Sequence, residues 1–196
     1  MIPSKGLPGG ALLLFIAAGR QAGTLENRAL SQFARVMVLV VDDNHYMRVI
    51  VSTMLRSMGI TLIREASDGA EALEIVRDWR PDVIILDLMM ETIDGIEFTK
   101  LIRRGVDSPH PYVPIIMMTG HTDRRRVIEA RDAGVNEFVA KPLTARALID
   151  RLKSVINNER GWVKSANYVG PDRRRRVHPD FKGPFRRIAD KADGKM

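Results

Sequence analysis

Val83-Ile84-Ile85-Leu86-Asp87 decides the fold. Four apolar residues, three of them β-branched, run without alternation into a single aspartate. An unbroken run of this length reads as a strand covered on both faces, the mark of a parallel sheet. In open parallel sheets ligands sit beyond the carboxyl ends of the strands. Asp87 stands at that end, so its carboxylate is a candidate chemical group.

Working outward, the same alternation of strand and helix signals repeats on either side. Residues 36–41 form a first buried strand, ended by Asp42-Asp43. Asn44 is placed to cap a helix over 45–58, which Gly59 stops. A short strand over 60–64 follows, then a helix over 70–79 with Pro81 beyond its end. After the central strand, Asp94-Gly95 opens a helix to about residue 104. Strands over 114–118 and 137–140 and helices over 122–133 and 143–157 complete the pattern, with Gly134 closing the first of these helices. Five strands alternating with five helices predict an α/β fold, a doubly wound five-stranded parallel sheet of the flavodoxin-like order 2-1-3-4-5.

The segments on either side read differently. Residues 1–35 open with Pro3, Gly6, Pro8, Gly9 and Gly10, and are expected to be a weakly ordered leader, with one possible helix over 25–33. Their apolar run, Ala11 to Ala18, is 8 residues long, far short of the roughly 20 needed to span a bilayer. The domain proper is expected over 36–157, starting near Met37. Residues 158–196 carry prolines, glycines, aromatics and arginines with little periodicity, and read as a flexible tail.

The 196 residues carry a net charge of +7 and no cysteine. The absence of cysteine excludes disulfides and thiolate metal sites, in keeping with a cytoplasmic protein. The whole excess charge lies in the tail, where residues 160–196 hold 11 Lys/Arg against 4 Asp/Glu. A phosphate-bearing partner is therefore to be sought there.

The predicted topology brings five groups to one rim: Asp42 and Asp43 after the first strand, Asp87 after the third, Thr119 after the fourth and Lys141 after the fifth. Each alone has a plain explanation as a helix cap, a turn or a loop residue. Together they are a set suited to phosphoryl transfer. Crowded carboxylates call for a hard divalent cation. A lysine and a hydroxyl can hold the oxygens of a phosphoryl group transferred to a carboxylate nucleophile.

Val40-Val41-Asp42-Asp43-Asn44, Leu86-Asp87, Asp94-Gly95, Met118-Thr119-Gly120 and Ala140-Lys141-Pro142, in this order, resemble the receiver domain of two-component response regulators, the CheY-like family. The resemblance implies that Asp87 accepts phosphate from a histidine kinase or phosphotransferase. It implies Mg²⁺ held by Asp43, Asp87 and the main-chain carbonyl of Met89, with Asp42 acting through water. It makes Lys141 the phosphate contact, before a cis peptide bond to Pro142, and Thr119 and Phe138 the switch pair. One departure is that Met90-Glu91 stands where receivers often carry Met-Pro, which implies a less rigid loop. Met89 and His121 flank the expected path of hydrolytic water, and an apolar Met89 implies slow loss of phosphate.

The tail contains a repeat. Tyr168-Val-Gly-Pro-Asp-Arg-Arg-Arg175 matches Phe181-Lys-Gly-Pro-Phe-Arg-Arg-Ile188 at an offset of 13 residues. Arginine forks bond guanine edges and phosphate oxygens, and guanidinium planes and aromatic rings stack on bases. The segment is similar to the arginine-rich C-terminal part of the CheY-like cyclic di-GMP effectors, the Cle proteins. That resemblance implies cyclic di-GMP binding by Tyr168, Gly170, Pro171, Asp172, Arg173, Arg174, Pro184, Arg186 and Arg187. The expected whole is a non-enzymatic signalling adaptor, with an output protein such as a flagellar motor component. The alternative is a receiver whose basic tail binds nucleic acid non-specifically. No helix-turn-helix follows residue 157, so sequence-specific DNA binding is not expected.

Overall fold

The computed structural model describes residues 33–105, 108–120, 124–157, 161–165 and 168–172. Its central sheet has strands β1 Met37–Val41, β2 Leu62–Ala66, β3 Val83–Asp87, β4 Ile115–Thr119 and β5 Glu137–Ala140. All pair in parallel, in the order β2-β1-β3-β4-β5. The helices between and after them are α1 His45–Ser57, α2 Gly69–Trp79, α3 Gly95–Arg104, α4 Arg124–Ala133 and α5 Ala145–Asn157. The doubly wound α/β fold read from the sequence is the one observed. No described helix is long and apolar enough to cross a membrane.

The helix starts follow from local chemistry. Asn44, Asp68 and Asp94 each accept hydrogen bonds from two main-chain N–H groups of the first turn of α1, α2 and α3, satisfying donors a helix start leaves orphaned. The unbroken apolar strands β3 and β4 are buried at every position, whereas edge strand β2 alternates exposed and covered residues. One core layer, built on Leu39, Ile84, Leu86, Ile115 and Met117, is closed by α2, α3 and α4. The other, on Val38, Val40, Ile85, Ile116 and Met118, is closed by α1 and α5.

Three departures from the sequence reading have physical causes. Strand β2 runs Leu62–Ala66 rather than 60–64, because its register pairs Glu65 and Ala66 with Val40 and Val41. Ile60 is fully buried, but in the connection before the strand. The core also takes in Phe33, from the segment read as leader: it is buried to 1% exposure in the α1–α5 layer, and its carbonyl accepts from the N–H of Val36. Residues 1–32 of the expected leader, and with them all but the last residue of its possible helix, lie outside the described residues.

The third departure is in the tail. Trp162–Ser165 (β6) and Tyr168–Pro171 (β7) pair as an antiparallel hairpin where irregular chain was expected. The hairpin lies against α3 and α4. Gly170 makes this possible, since a Cβ there would stand 2.9 Å from the Cα of Gly134, which itself sits at φ +112° and has the Val169 carbonyl where its own Cβ would be. Two glycines thus let two backbones touch. The buried side chain of Arg103 completes the joint. Its Nε donates to the Gly134 carbonyl (3.1 Å), Nη1 to Pro111 (2.9 Å), and Nη2 to Val113 (2.8 Å) and to Oδ1 of Asn136 (3.1 Å). Its guanidinium also lies 4.9 Å from the centre of the Trp162 ring. Burial lowers its pKa to about 9, so it remains a cation at neutral pH.

Candidate functional site

The parallel register places the strand ends side by side. Met118 is opposite Asp87, and Ala140 is opposite Thr119. Asp42 follows β1 and Lys141 follows β5, so the rim expected from the sequence is assembled. The Lys141 N–H donates to the Thr119 carbonyl (2.7 Å), fixing the lysine's departure from the sheet, and the Lys141–Pro142 bond is cis as the resemblance implied.

At the centre, Lys141 Nζ lies 3.0 Å from Asp87 Oδ1 and 3.1 Å from Asp42 Oδ2. Asp42 is fully buried; its other oxygen accepts from the Asn44 N–H. Asp87 is 6% exposed and accepts from the N–H of Leu88 (2.9 Å). Carboxylate oxygens of Asp42, Asp43 and Asp87 lie within 4.8 Å of one another. Burial is the strongest influence on Asp87 and raises its pKa. The hydrogen bond and charge of Lys141 oppose this only in part, and Asp42 adds repulsion. Burial works against the Lys141 charge, but Asp87 and then Asp42 outweigh it and hold its pKa above the ordinary value. Three carboxylates facing one ammonium leave two negative charges uncompensated, which is the charge of a divalent cation.

The backbone around Asp87 is held by Gly95. Its N–H donates to the Leu88 carbonyl (3.1 Å), and a Cβ on it would collide with the carbonyl oxygen of Asp87. The Asp94-Gly95 pair therefore does two things: the aspartate caps α3 and the glycine lets α3 start against the end of β3. Between them and β3, Thr92 adopts φ +68° and is spanned by an Ile93 N–H to Glu91 carbonyl bond of 2.8 Å. A β-branched residue there stores strain beside the site. The loop carrying Met90-Glu91 also touches the acidic cluster, with the Glu91 N–H 3.3 Å from Asp43 Oδ2.

Thr119 is buried, and its hydroxyl donates to the Gly120 carbonyl (2.9 Å). Phe138 is half-buried and packs against the α2–α4 layer. Met89 is 64% exposed at the mouth of the pocket. His121 lies outside the described residues.

Two arginines escaped the sequence reading. Arg48 Nη1 donates to the Asp42 carbonyl (2.8 Å), tying α1 to the acidic loop. Arg126 on α4 bonds Asp94 Oδ2 at 2.8 Å and reaches Met89 Sδ at 3.6 Å. Only the pattern Arg124-Arg125-Arg126 was visible beforehand, and nothing in it singles out the third. Asp94 loses some charge stability to burial, but Arg126 and the N–H groups of Glu97 and Ile96 depress its pKa overall. A depressed carboxylate contributes stability above its ordinary value of 3.8, and this is lost as pH falls through the folded-state value. Asp94→Asn keeps the cap and loses the charge. It is expected to cost about 0.5–1 kcal/mol in urea denaturation at neutral pH, with the difference shrinking as pH falls below the ordinary carboxylate value.

Of the residues assigned to the tail ligand, Tyr168, Gly170, Pro171 and Asp172 are described. The Tyr168 hydroxyl donates to the Pro171 carbonyl (2.6 Å), Gly170 and Pro171 are buried, and the Asp172 N–H donates to the Gly161 carbonyl (2.7 Å). These contacts build and dock the hairpin. Arg173, Arg174, Pro184, Arg186 and Arg187 lie outside the described residues.

Known proteins resemble this chain in sequence and fold. The sequence matches the response regulator receiver domain over residues 38–153. The chemotaxis protein CheY of Pseudomonas aeruginosa is 34% identical over 124 residues, spanning 63% of this chain and 98% of that protein. CheY-3 of Vibrio cholerae is 36% identical over 118 residues, 60% of this chain and 89% of that one. Among solved structures, CheY4 of Vibrio cholerae aligns with a TM-score of 0.57 and 34% identity over 62% of this chain and 98% of its own. The receiver domain of the Pseudomonas aeruginosa sensor histidine kinase PA1611, solved with a magnesium ion coordinated in its active-site cleft, aligns with a TM-score of 0.57 and 28% identity over 63% of this chain and 98% of its own. With its sheet order, its acidic rim and its sequence all in agreement, the chain belongs to the response regulator receiver family of two-component signalling proteins.

Proposed function

We propose that this receiver is phosphorylated on Asp87 and that its arginine-rich extension binds cyclic di-GMP, making it a signalling adaptor that acts through protein contacts in the cytoplasm. The observation that carries the first part is Lys141 shared between Asp42 and Asp87, with three carboxylates inside 4.8 Å. Asp43, Asp87 and the Met89 carbonyl would hold Mg²⁺, with Asp42 reached through water. Bound there, the cation would neutralise the carboxylates and the incoming phosphoryl oxygens. Asp87 supplies the nucleophilic oxygen. Lys141 turns from its carboxylate partners to a phosphoryl oxygen, and the Thr119 hydroxyl exchanges the Gly120 carbonyl for another. Phe138 follows into the space Thr119 vacates. The phosphodonor is a histidine kinase or phosphotransferase, and a flagellar motor component is one candidate output.

Met89 sets how long the phosphate lasts. Its side chain is exposed at the pocket mouth and cannot orient water. Met89→Asn, which adds an amide donor and acceptor there, is expected to speed phosphate loss about tenfold, read as the decay of labelled protein after the donor is removed. An unchanged lifetime would remove this role.

The second part rests on the repeated Gly-Pro-x-Arg-Arg and on charge, since all of the net +7 lies within 160–196. Calorimetric titration of cyclic di-GMP into the full chain is expected to show saturable binding that GTP does not reproduce. The double variant Arg173→Ala/Arg174→Ala should abolish it. Affinity that tracks salt alone, with no preference among polyanions, would instead mark a non-specific nucleic-acid arm.

A further inference from the structure

Of the three carboxylates on the acidic rim, Asp42 and Asp87 are buried and share Lys141, whereas Asp43 is exposed. The Asp43 carboxylate accepts from the Glu91 N–H at 3.3 Å. Where this carboxylate points depends mainly on the backbone from which it leaves. That backbone is held by one side chain. Arg48, in the first turn of α1, directs Nη1 at two successive carbonyls, that of Asp42 at 2.8 Å and that of Asp43 at 3.4 Å. Two carbonyls drawn to one nitrogen restrict the torsions between them, and with these the direction of the Asp43 side chain.

The arginine is itself held in place. Its Nε lies 3.6 Å from Oε2 of Glu65 on edge strand β2, and Oε1 of that glutamate accepts from the Ser52 hydroxyl at 2.6 Å. Ser52 is fully buried, one turn further along α1, so the glutamate is anchored from inside the fold. Nη2 of the arginine lies 3.4 Å from Nδ1 of His45, and its side chain is 15% exposed. One side chain thus joins α1, β2 and the loop after β1. A guanidinium suits this task because its donors leave one plane in fixed directions.

We infer that Arg48 is a positioning residue for the divalent cation: it holds the Asp42-Asp43 backbone in the geometry that brings Asp43 beside Asp87, and so raises magnesium affinity through the two carbonyls. The inference rests on the magnesium and phosphorylation reading above and assigns the preorganisation of that site to a residue behind it. Two influences of opposite sign act through Arg48. As a cation behind the acidic rim it repels another cation, so by charge alone its removal would tighten magnesium binding. As the anchor of the backbone it spares the ion the ordering of two residues, so its removal weakens binding. Groups that orient metal ligands from behind are worth about 10- to 100-fold in metal affinity, more than one charge near solvent supplies.

Magnesium titrated calorimetrically into the full chain tests this, with Arg48→Met and Arg48→Lys. Arg48→Met keeps the aliphatic bulk and is expected to weaken magnesium binding about tenfold or more. Arg48→Lys keeps the charge, loses the fork, and is expected to stay closer to Arg48→Met than to wild type. With acetyl phosphate as donor, the magnesium concentration giving half the maximal rate should rise by the same factor, while the rate at saturating magnesium stays within about threefold. Hydrogen exchange of the metal-free chain serves as the folding control. The Asn44 N–H, bonded to Asp42 Oδ1, should lose protection in Arg48→Met while the amides of β3 and β4 keep theirs. If those strand amides lose protection as well, Arg48→Lys decides alone. Unchanged or tighter magnesium binding in folded Arg48→Met would overturn the inference, and so would wild-type affinity in Arg48→Lys. Failure of the wild-type chain to bind magnesium would overturn the reading of the site itself, and this inference with it.

Discussion

Asp87→Asn is expected to fold and to take up no phosphate from acetyl phosphate and magnesium, with intact-mass spectrometry showing only the unmodified chain. The amide is nearly isosteric but is not a nucleophile, and it removes one of the three carboxylates that draw the cation. The loss is of function and not of fold. Burial already raises the Asp87 pKa, so its charged form is the costly one in the native state. For an acid with a raised folded-state pKa, the folded state is favoured when the group is protonated and loses stability as pH rises through that value. A permanently neutral amide stays on the favourable side, and Lys141 retains Asp42 as a partner at 3.1 Å. Urea denaturation without magnesium should find the variant within about 1 kcal/mol of wild type or more stable. Phosphate incorporation persisting in Asp87→Asn would show that another residue is the acceptor.

Arg103→Met is expected to destabilise the fold by about 3–5 kcal/mol. Methionine fills the space of the aliphatic stem but leaves the carbonyls of Pro111, Val113 and Gly134 without this donor, while Asn136 Oδ1 keeps the Ile115 N–H at 3.0 Å. An unsatisfied buried acceptor costs about 1–3 kcal/mol, and three sharing one site do not add in full. Arg103→Lys should recover less than half, because one ammonium cannot span acceptors that a planar fork reaches in four directions. The Met variant should also release the hairpin. Limited proteolysis should then cut near residue 161, and Trp162 emission should move to the red. Stability within about 0.5 kcal/mol of wild type, with the hairpin still protected, would mean that the four bonds contribute nothing net.

Arg103 also shows where a sequence reading stops. In Leu101-Ile102-Arg103-Arg104 the two arginines are indistinguishable as text, yet Arg103 is 3% exposed and Arg104 is on the surface. Its acceptors lie 8, 10, 31 and 33 residues away, so no local period or motif could mark it. The hairpin was missed for a related reason. Residues 162–171 hold one glycine, Gly170, which read alone weakens a strand; docked, it is the residue that fits against Gly134. The basic composition of 160–196 suggested a solvated ribbon, and for Tyr168–Pro171 packing against α3 and α4, with Trp162 held over Arg103, overrode it.

By itself the amino-acid order determined the elements and their sequence: apolar runs that read as covered strands, a capping side chain at Asn44, a helix opened by Asp94-Gly95, and acidic, hydroxyl and lysine groups each placed at or just past a strand end. Those signals are local, carried by neighbours within a turn or a strand, and parallel topology then forces the strand ends to one rim. The tertiary structure alone decided what is shared between distant segments. It showed one lysine serving Asp42 and Asp87 at once, Phe33 within the core, Arg126 tying α4 to Asp94, and Arg103 fastening a hairpin. The physical reason is that a buried charge or a glycine contact depends on which carbonyls and backbones the fold brings alongside, and this is settled only when the layers close.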